Sequence, residues 1–182
     1  MYDTLLVRHC APTLAGLKTG ALFSCSFPCP EDMRTCLRRW NLRFYAAGLH
    51  ALPLRTQRGR TLIYVYRSRA LLRDLSAEQS KLLLLERHYP LPSPERCIAH
   101  LMRRLTYTAA FPHEIGLFLG YPSEDVRGFI RDPTVCKYSG CWKVYGDVNA
   151  ARSLFEAYRR CTHSCCVQLA LGAGLDQLIK AQ

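Results

Sequence analysis

Two ionisable neighbours, His113 and Glu114, follow Pro112 in the stretch from Phe111 to Val126. Proline is favoured at the first position of a helix, so this order predicts a short helix with both side chains in its first turn. Unpaired backbone N–H groups and the helix dipole favour an anion there. A histidine beside a carboxylate also suits proton transfer. The alternative is structural, with Glu114 itself at the positive end and His113 held by hydrogen bonds.

Three further side chains are candidates for chemistry. Cys10 and Lys18 flank a segment interrupted by Pro12 and Gly16, and a nearby ammonium lowers the pKa of a thiol and makes it nucleophilic. Lys18 and Lys143 are candidates for holding an anionic ligand. The alternatives are a buried structural thiol at Cys10 and a solvent-facing lysine at Lys143.

Ten cysteines raise the question of metal. Cys25 and Cys29 are separated by three residues, as are Cys161 and Cys165, whereas zinc knuckles use a spacing of two. Position 117 is Leu, so His113 and Glu114 do not begin a zinc-protease motif. We therefore assign no metal ligand, although cysteines distant in sequence could still converge on a metal, and the sequence does not identify a cofactor. We expect most thiols to be small buried side chains.

The formal net charge of +11 is unevenly distributed along the chain. Ten arginines and no acidic residue lie between Met33 and Arg73. This excess is either the footprint of an anionic partner such as nucleic acid or an ordinary solvated surface. Residues 114–130 also read as two short helices around Gly120, which resembles a helix-turn-helix. Nucleic-acid binding through this helix pair and the arginine-rich face 34–73 is thus the alternative function, although Glu124 and Asp125 would repel phosphates.

The elements that must position these residues are mainly helices. Glu31–Ala47 has an apolar stripe and acidic residues at its start, which predicts a helix. Leu49–Leu54 and Arg60–Arg67 predict a hairpin, and the segment Cys141–Tyr145 predicts a late strand. We expect a single α+β domain over residues 1–182, mostly helical, with a small antiparallel or mixed sheet of about three to four strands. We also expect a helix over Asp3–His9 that breaks near Pro12 and a strand at Ala21–Cys25. Three further helices are expected to begin at the capping residues Ser76, Ser93 and Asp147.

Three segments together resemble a bacterial family known as domain-of-unknown-function family 3793. They are Cys10–Lys18, Pro112–Pro122 with its continuation to Ile130, and Cys136–Tyr145. The resemblance spans nearly the whole chain. It implies one continuous domain and supplies no catalytic mechanism.

The start of the chain lacks the pattern of a secretory signal, and no apolar run is long enough to span a membrane, so we expect a cytoplasmic protein without a membrane partner.

We expect the motif segments Cys10–Lys18 and Pro112–Pro122 to form a pocket for a small anionic ligand. In an enzyme, His113 and Glu114 would transfer protons, Lys18 would hold the anion and Cys10 would be a nucleophile. The sequence fixes neither the reaction nor the oligomeric state.

Overall fold

The computed structural model describes residues 2–108 and 110–180. The chain divides into two compact units: unit 1 comprises residues 1–69 and 158–182, and unit 2 comprises residues 70–157. Helices dominate and the sheets are small and antiparallel, which confirms the predicted α+β class. The prediction of a single domain over residues 1–182 stays a prediction.

The helices and strands follow one another along the chain in this order. The elements are α1 (Tyr2–Leu14), β1 (Gly20–Cys25), α2 (Pro30–Phe44), β2 (Leu49–Gln57), β3 (Arg60–Arg67), α3 (Ser68–Ser76), α4 (Glu78–Leu85), α5 (Pro94–Tyr107), α6 (Ile115–Phe118), α7 (Ser123–Arg131), β4 (Tyr138–Ser139), β5 (Lys143–Val144), α8 (Val148–Ala170) and α9 (Leu175–Leu178).

Unit 1 is built on an antiparallel sheet in the order β1-β3-β2. Arg58 and Gly59 join β2 to β3 with φ of 50° and 72°, the left-handed conformation that tight hairpin turns require. Ile63 and Val65 of β3 belong to a core that also contains Trp40. The predicted hairpin is confirmed. Pro53 lies on β2, an edge strand, as expected for a residue without an N–H donor.

Helix α2 confirms its predicted apolar stripe. Cys36, Leu37, Trp40 and Phe44 are buried, and the indole of Trp40 donates a 2.7 Å hydrogen bond to the Asp3 carboxylate. A short 3-10 turn, Tyr45–Ala47, follows the helix and Gly48 ends it with a φ of 61°.

The expected break near Pro12 was wrong. Helix α1 continues through Pro12 to Leu14, and the Pro12 carbonyl accepts hydrogen bonds from the N–H groups of Leu17 and Lys18. Proline disfavours a helix interior by about 3 kcal/mol. Burial of α1 offsets this cost, since Cys10, Ala11 and Leu14 are fully inaccessible to solvent.

Arg67, at the end of β3, is only 2% exposed. Its guanidinium donates to the carbonyl oxygens of Thr13 at 2.7 Å, Leu14 at 2.5 Å and Lys180 at 2.8 Å. Burial lowers the pKa of Arg67. The carbonyls of Thr13 and Leu14 end helix α1, where the dipole favours a cation, so Arg67 joins β3, the end of α1 and the C-terminal residues of unit 1.

In unit 2 the Ser93 hydroxyl accepts from the Arg96 N–H at the start of α5, and Asp147 accepts from the N–H groups of Asn149 and Ala150 at the start of α8. Both predicted caps are confirmed. The predicted Ser76 cap was wrong, because Ser76 ends α3, and α4 begins after Ala77 without a side-chain cap. The late strand is shorter than expected: β5 has two residues and pairs with β4.

Candidate functional site

A cleft of about 290 Å³ lies within unit 2. Helices α6 and α7 form one part of its lining, and the strand pair β4–β5 with its turn forms another. Tyr121 and Trp142 stack in this lining with ring centroids 4.4 Å apart. Burial raises the pKa of Tyr121 to about 12, so its phenol is neutral near pH 7. The lining residues are His113, Ile115, Gly116, Tyr121, Asp125, Val126, Phe129, Ser139, Gly140, Trp142 and Lys143.

Asp125 connects the two sides of this cleft. It lies on α7, is 3% exposed and accepts hydrogen bonds from the Trp142 indole at 2.7 Å and from the N–H groups of Tyr145 at 2.7 Å and Gly146 at 2.9 Å. Hydrogen bonds to a carboxylate are shorter and stronger than those between neutral groups. Asp125 therefore fixes the Trp142 ring and the end of β5 against α7.

Close backbone approaches pack α7 against the segment after β5 and the β4–β5 turn against α8. A Cβ built on Gly128 would lie 2.3 Å from the Tyr145 ring, and one on Gly140 would lie 2.3 Å from the Phe155 ring. Real Cβ atoms do not approach other atoms so closely, so the aromatic rings occupy space that any other residue would fill. Glycine is required at both positions by this packing.

His113 and Lys143, two of the candidates from the sequence, both line the cleft. They lie near the same ring: the His113 imidazole centroid is 4.9 Å from that of Phe129, and the Lys143 Nζ is 5.8 Å from it. Lys143 Nζ also donates a 2.7 Å hydrogen bond to the Pro133 carbonyl. An ammonium has three donors, so this bond leaves Lys143 able to contact a ligand.

Glu114 has a different environment from its neighbour. Its side chain is 2% exposed, lies 2.8 Å from the Arg104 Nε and accepts a 2.9 Å hydrogen bond from the Tyr89 hydroxyl. The Arg87 Nε lies 4.0 Å away. The Arg104 contact is an ion pair rather than an aligned hydrogen bond, since its Nε has no hydrogen-bond partner among the described residues. These contacts favour the structural alternative for Glu114 and do not pair it with His113.

The predicted position of this pair in the helix needs correction. Helix α6 contains only Ile115–Phe118, so His113 precedes it and Glu114 is its N-cap residue. Glu114 is buried against arginines, and His113 is exposed on the cleft side. The turn separates the two side chains because the N–H groups of Ile115 and Gly116 bond back to the carbonyls of Pro112 and His113.

Cys10 and Lys18 belong to unit 1. Cys10 is fully buried in α1, and burial raises its thiol pKa, against a smaller opposing effect of the Lys18 charge. This environment favours the structural alternative for Cys10. The Lys18 ammonium lies 6.0 Å from the centroid of the Tyr158 ring in the same unit.

The two helices proposed to bind nucleic acid differ in length: α6 has only four residues and α7 has nine. Asp125 is buried rather than presented at the start of α7, and Glu124 is exposed there. An exposed carboxylate at this end disfavours phosphate. DNA binding through this helix pair stays a prediction, which the exposed Glu124 disfavours.

Four aromatic and acidic residues of the cleft were not identified from the sequence: Tyr121, Asp125, Phe129 and Trp142. Asp125 was interpreted only as a charge that repels DNA. The available signal was the alternation of Gly with Tyr, Phe and Trp across segments 111–130 and 136–146, which marks close aromatic packing.

The described part of the chain contains no group of three or more His, Cys, Asp or Glu arranged to hold a metal. All ten cysteines are free thiols; five are buried, and Cys141 is exposed. Among residues 2–108 and 110–180, no helix is both long and apolar enough to cross a membrane.

One comparison with known proteins, the match to a family model, agrees with the resemblance seen in the motif segments. A search of the curated proteins and a search of the solved structures found no match to this chain. The model of a family described as "Protein of unknown function (DUF3793)" matches residues 6–179, nearly the whole chain. The chain therefore belongs to the DUF3793 family.

Proposed function

We propose that the unit 2 cleft binds a small anionic ligand with an aromatic or otherwise planar apolar part. The observation that carries this proposal is the position of His113 and Lys143, one on an exposed turn and one on β5, near the same Phe129 ring in one cleft. Ligand sites are typically concave and apolar with a few polar groups that orient the ligand.

The charges of the cleft favour an anion. The Asp125 carboxylate is buried and already accepts three hydrogen bonds, so it is poorly placed to receive a ligand cation. Lys143 and His113 are the basic side chains of the cleft lining, and both have donors to offer to an anion. Lys143 would contact the anionic group of the ligand, and His113 would donate to it or exchange a proton with it.

The size and lining of the cleft limit the ligand. A volume of about 290 Å³ corresponds to roughly ten water molecules, which suits a ligand of on the order of ten to fifteen non-hydrogen atoms. Tyr121, Phe129 and Trp142 provide ring faces and edges for a flat apolar group. We place Cys10 and Lys18 outside this proposal because neither residue lines the cleft.

Calorimetric titration with benzoate and with its neutral isostere benzamide tests the proposal. Benzoate is expected to bind more tightly, and Lys143→Gln is expected to remove the preference. The control is Lys81→Gln, which removes the same charge from α4, outside the lining of the cleft. Equal affinity for the two probes in the native protein, or an equal loss in the Lys81→Gln protein, would contradict an anion site at Lys143.

A further inference from the structure

The charge of this chain belongs almost entirely to one of its two units. Unit 1 contains fourteen Lys and Arg against four Asp and Glu, a balance of +10, whereas unit 2 contains eleven against ten, a balance of +1. Ten of the eleven net positive charges of the chain therefore belong to unit 1. A net charge of +10 on unit 1 attracts polyanions over distances of about 10 Å at moderate salt.

Within unit 1, helix α2 and the first residue of the turn after it expose a face on which two arginines are followed by two apolar side chains. Arg34, Arg38, Leu42 and Tyr45 follow one another at helical spacing opposite the buried stripe, and we name these four residues the α2 face. Leu42 is 72% exposed and Tyr45 is 85% exposed. Arg39 and Arg43 lie beside this face.

The acidic residues near α2 neutralise only part of this charge. Arg34 pairs with Glu31, Arg39 lies 2.9 Å from Asp3, and Arg43 lies 4.0 Å from Asp176. The side chains of Arg34 and Arg39 remain 68% and 51% exposed in these pairs. Exposed pairs of this kind contribute at most about 1 kcal/mol each, so a stronger anion can displace them. For Arg38, no ion pair is formed with any residue in 2–108 or 110–180.

We infer that the α2 face binds single-stranded nucleic acid. Guanidinium groups match phosphate oxygens in a bidentate manner, and an exposed tyrosine ring offers a face on which a base can stack. From Arg34 to Tyr45 the face is about 16 Å long at 1.5 Å per residue, enough for roughly three nucleotides. The carboxylates of an acidic peptide would contact the arginines but would not stack on the exposed Tyr45 ring, so this ring favours a nucleic acid. A membrane surface requires a broad apolar face, whereas the apolar members of this face are Leu42 and Tyr45 alone.

The test is fluorescence anisotropy with a labelled oligouridylate and a labelled oligothymidylate of about twelve nucleotides, measured across about 50 to 200 mM salt. We expect binding that weakens steeply with salt. Arg34→Gln with Arg38→Gln, the two arginines of the α2 face, should lower the affinity about tenfold and reduce the magnitude of the salt slope by about 1.4, the value for two lost phosphate contacts on a single strand. The RNA and DNA probes show whether the 2′-hydroxyl contributes.

Two matched controls separate a defined site from mere charge and exposure. Arg103→Gln with Arg131→Gln removes the same charge from exposed positions of unit 2 and should change the affinity less than twofold. Tyr45→Ala should lower affinity about tenfold through lost stacking, whereas Tyr107→Ala, at an equally exposed tyrosine of 82%, should not. Circular dichroism verifies that each variant is folded.

Several outcomes would overturn the inference. They are no binding at about 50 mM salt, equal losses in the two arginine double variants, equal losses in the two tyrosine variants, and displacement of the oligonucleotide by oligoglutamate or phosphatidylserine vesicles at equal charge concentration. Retention of affinity in the Lys143→Gln protein would keep this site distinct from the unit 2 cleft.

Discussion

The indole Nε1 of Trp142 donates a 2.7 Å hydrogen bond to the Oδ2 of Asp125, and both groups are buried. The second oxygen of the same carboxylate accepts from the backbone N–H groups of Tyr145 and Gly146. A single side chain of α7 thus satisfies three donors that flank β5, and the shape of the cleft depends on it.

The first prediction concerns the stability that Asp125 supplies. Asp125→Ala should lower the free energy of unfolding by about 3 kcal/mol, because three donors lose their acceptor and at least the indole N–H stays buried. Urea denaturation measures this change. Glu124→Ala, an adjacent and exposed carboxylate on the same helical turn, is the control and should cost less than about 1 kcal/mol. Equal costs would show that Asp125 does not organise the strand pair.

A second prediction separates the structural role of Glu114 from proton transfer. Glu114→Gln should destabilise the protein by about 3 kcal/mol, since it leaves the partly buried Arg104 without its charge partner. Glu86→Gln, an exposed carboxylate after α4, should change stability by less than about 0.5 kcal/mol. At a temperature low enough to keep it folded, the Glu114→Gln protein should bind benzoate with the same pH dependence as the native protein. A shifted pH profile would instead support His113 and Glu114 as a proton-transfer pair.

Alkaline pH should destabilise unit 1. Burial raises the pKa of Cys36 to about 11 and raises that of Cys10 as well. An unfolded thiol ionises near pH 8.5, so above that pH the unfolded state loses protons that the folded state keeps. Stability is therefore complete below about pH 8.5 and falls as the pH rises towards the folded pKa.

Thermal unfolding between about pH 8 and 10.5 measures this loss. Cys10→Ala should flatten the slope of stability against pH, whereas Cys141→Ala, at an exposed thiol, should leave it unchanged. In native protein a thiol reagent should label Cys141 rapidly and Cys10 only after unfolding. Rapid labelling of Cys10 would revive its assignment as a nucleophile.

The buried Arg67 provides a fourth prediction. Arg67→Lys should lower the free energy of unfolding by about 2 to 3 kcal/mol, because one ammonium cannot reproduce the guanidinium contacts to the carbonyls of Thr13, Leu14 and Lys180. Arg69→Lys, two residues further on and exposed, is the matched control. Hydrogen exchange should also quicken at the Lys180 N–H, which bonds to the Leu14 carbonyl. Equal stability in the two variants would contradict an anchoring role for Arg67.

The sequence was sufficient for features that depend on local patterns. The α2 stripe, the hairpin and the Ser93 cap follow from the spacing and types of residues, and the structure confirms them. The two-residue turn at Arg58 and Gly59 was not predicted, because β2 continues to Gln57. Pro12 was misread because tertiary burial of α1 outweighs the local cost of a proline.

The cleft was only partly predictable for a related reason. His113 and Lys143 were identified by their chemistry, but their proximity to Phe129 depends on packing between segments distant in sequence. Asp125 was missed because its role comes from donors seventeen to twenty-one residues away, and spacing along the chain carries no sign of them.

The most direct test of the proposed ligand site is a titration followed by the two tryptophan indole N–H signals in a nitrogen–proton NMR spectrum. Trp142 lines the cleft, whereas Trp40 lies in the core of unit 1 and serves as an internal reference. We expect added benzoate to shift the Trp142 signal in a saturable manner, with benzamide much weaker and Trp40 unchanged. Shifts of equal size at both indoles, or none at Trp142 while the protein stays folded, would contradict the proposal.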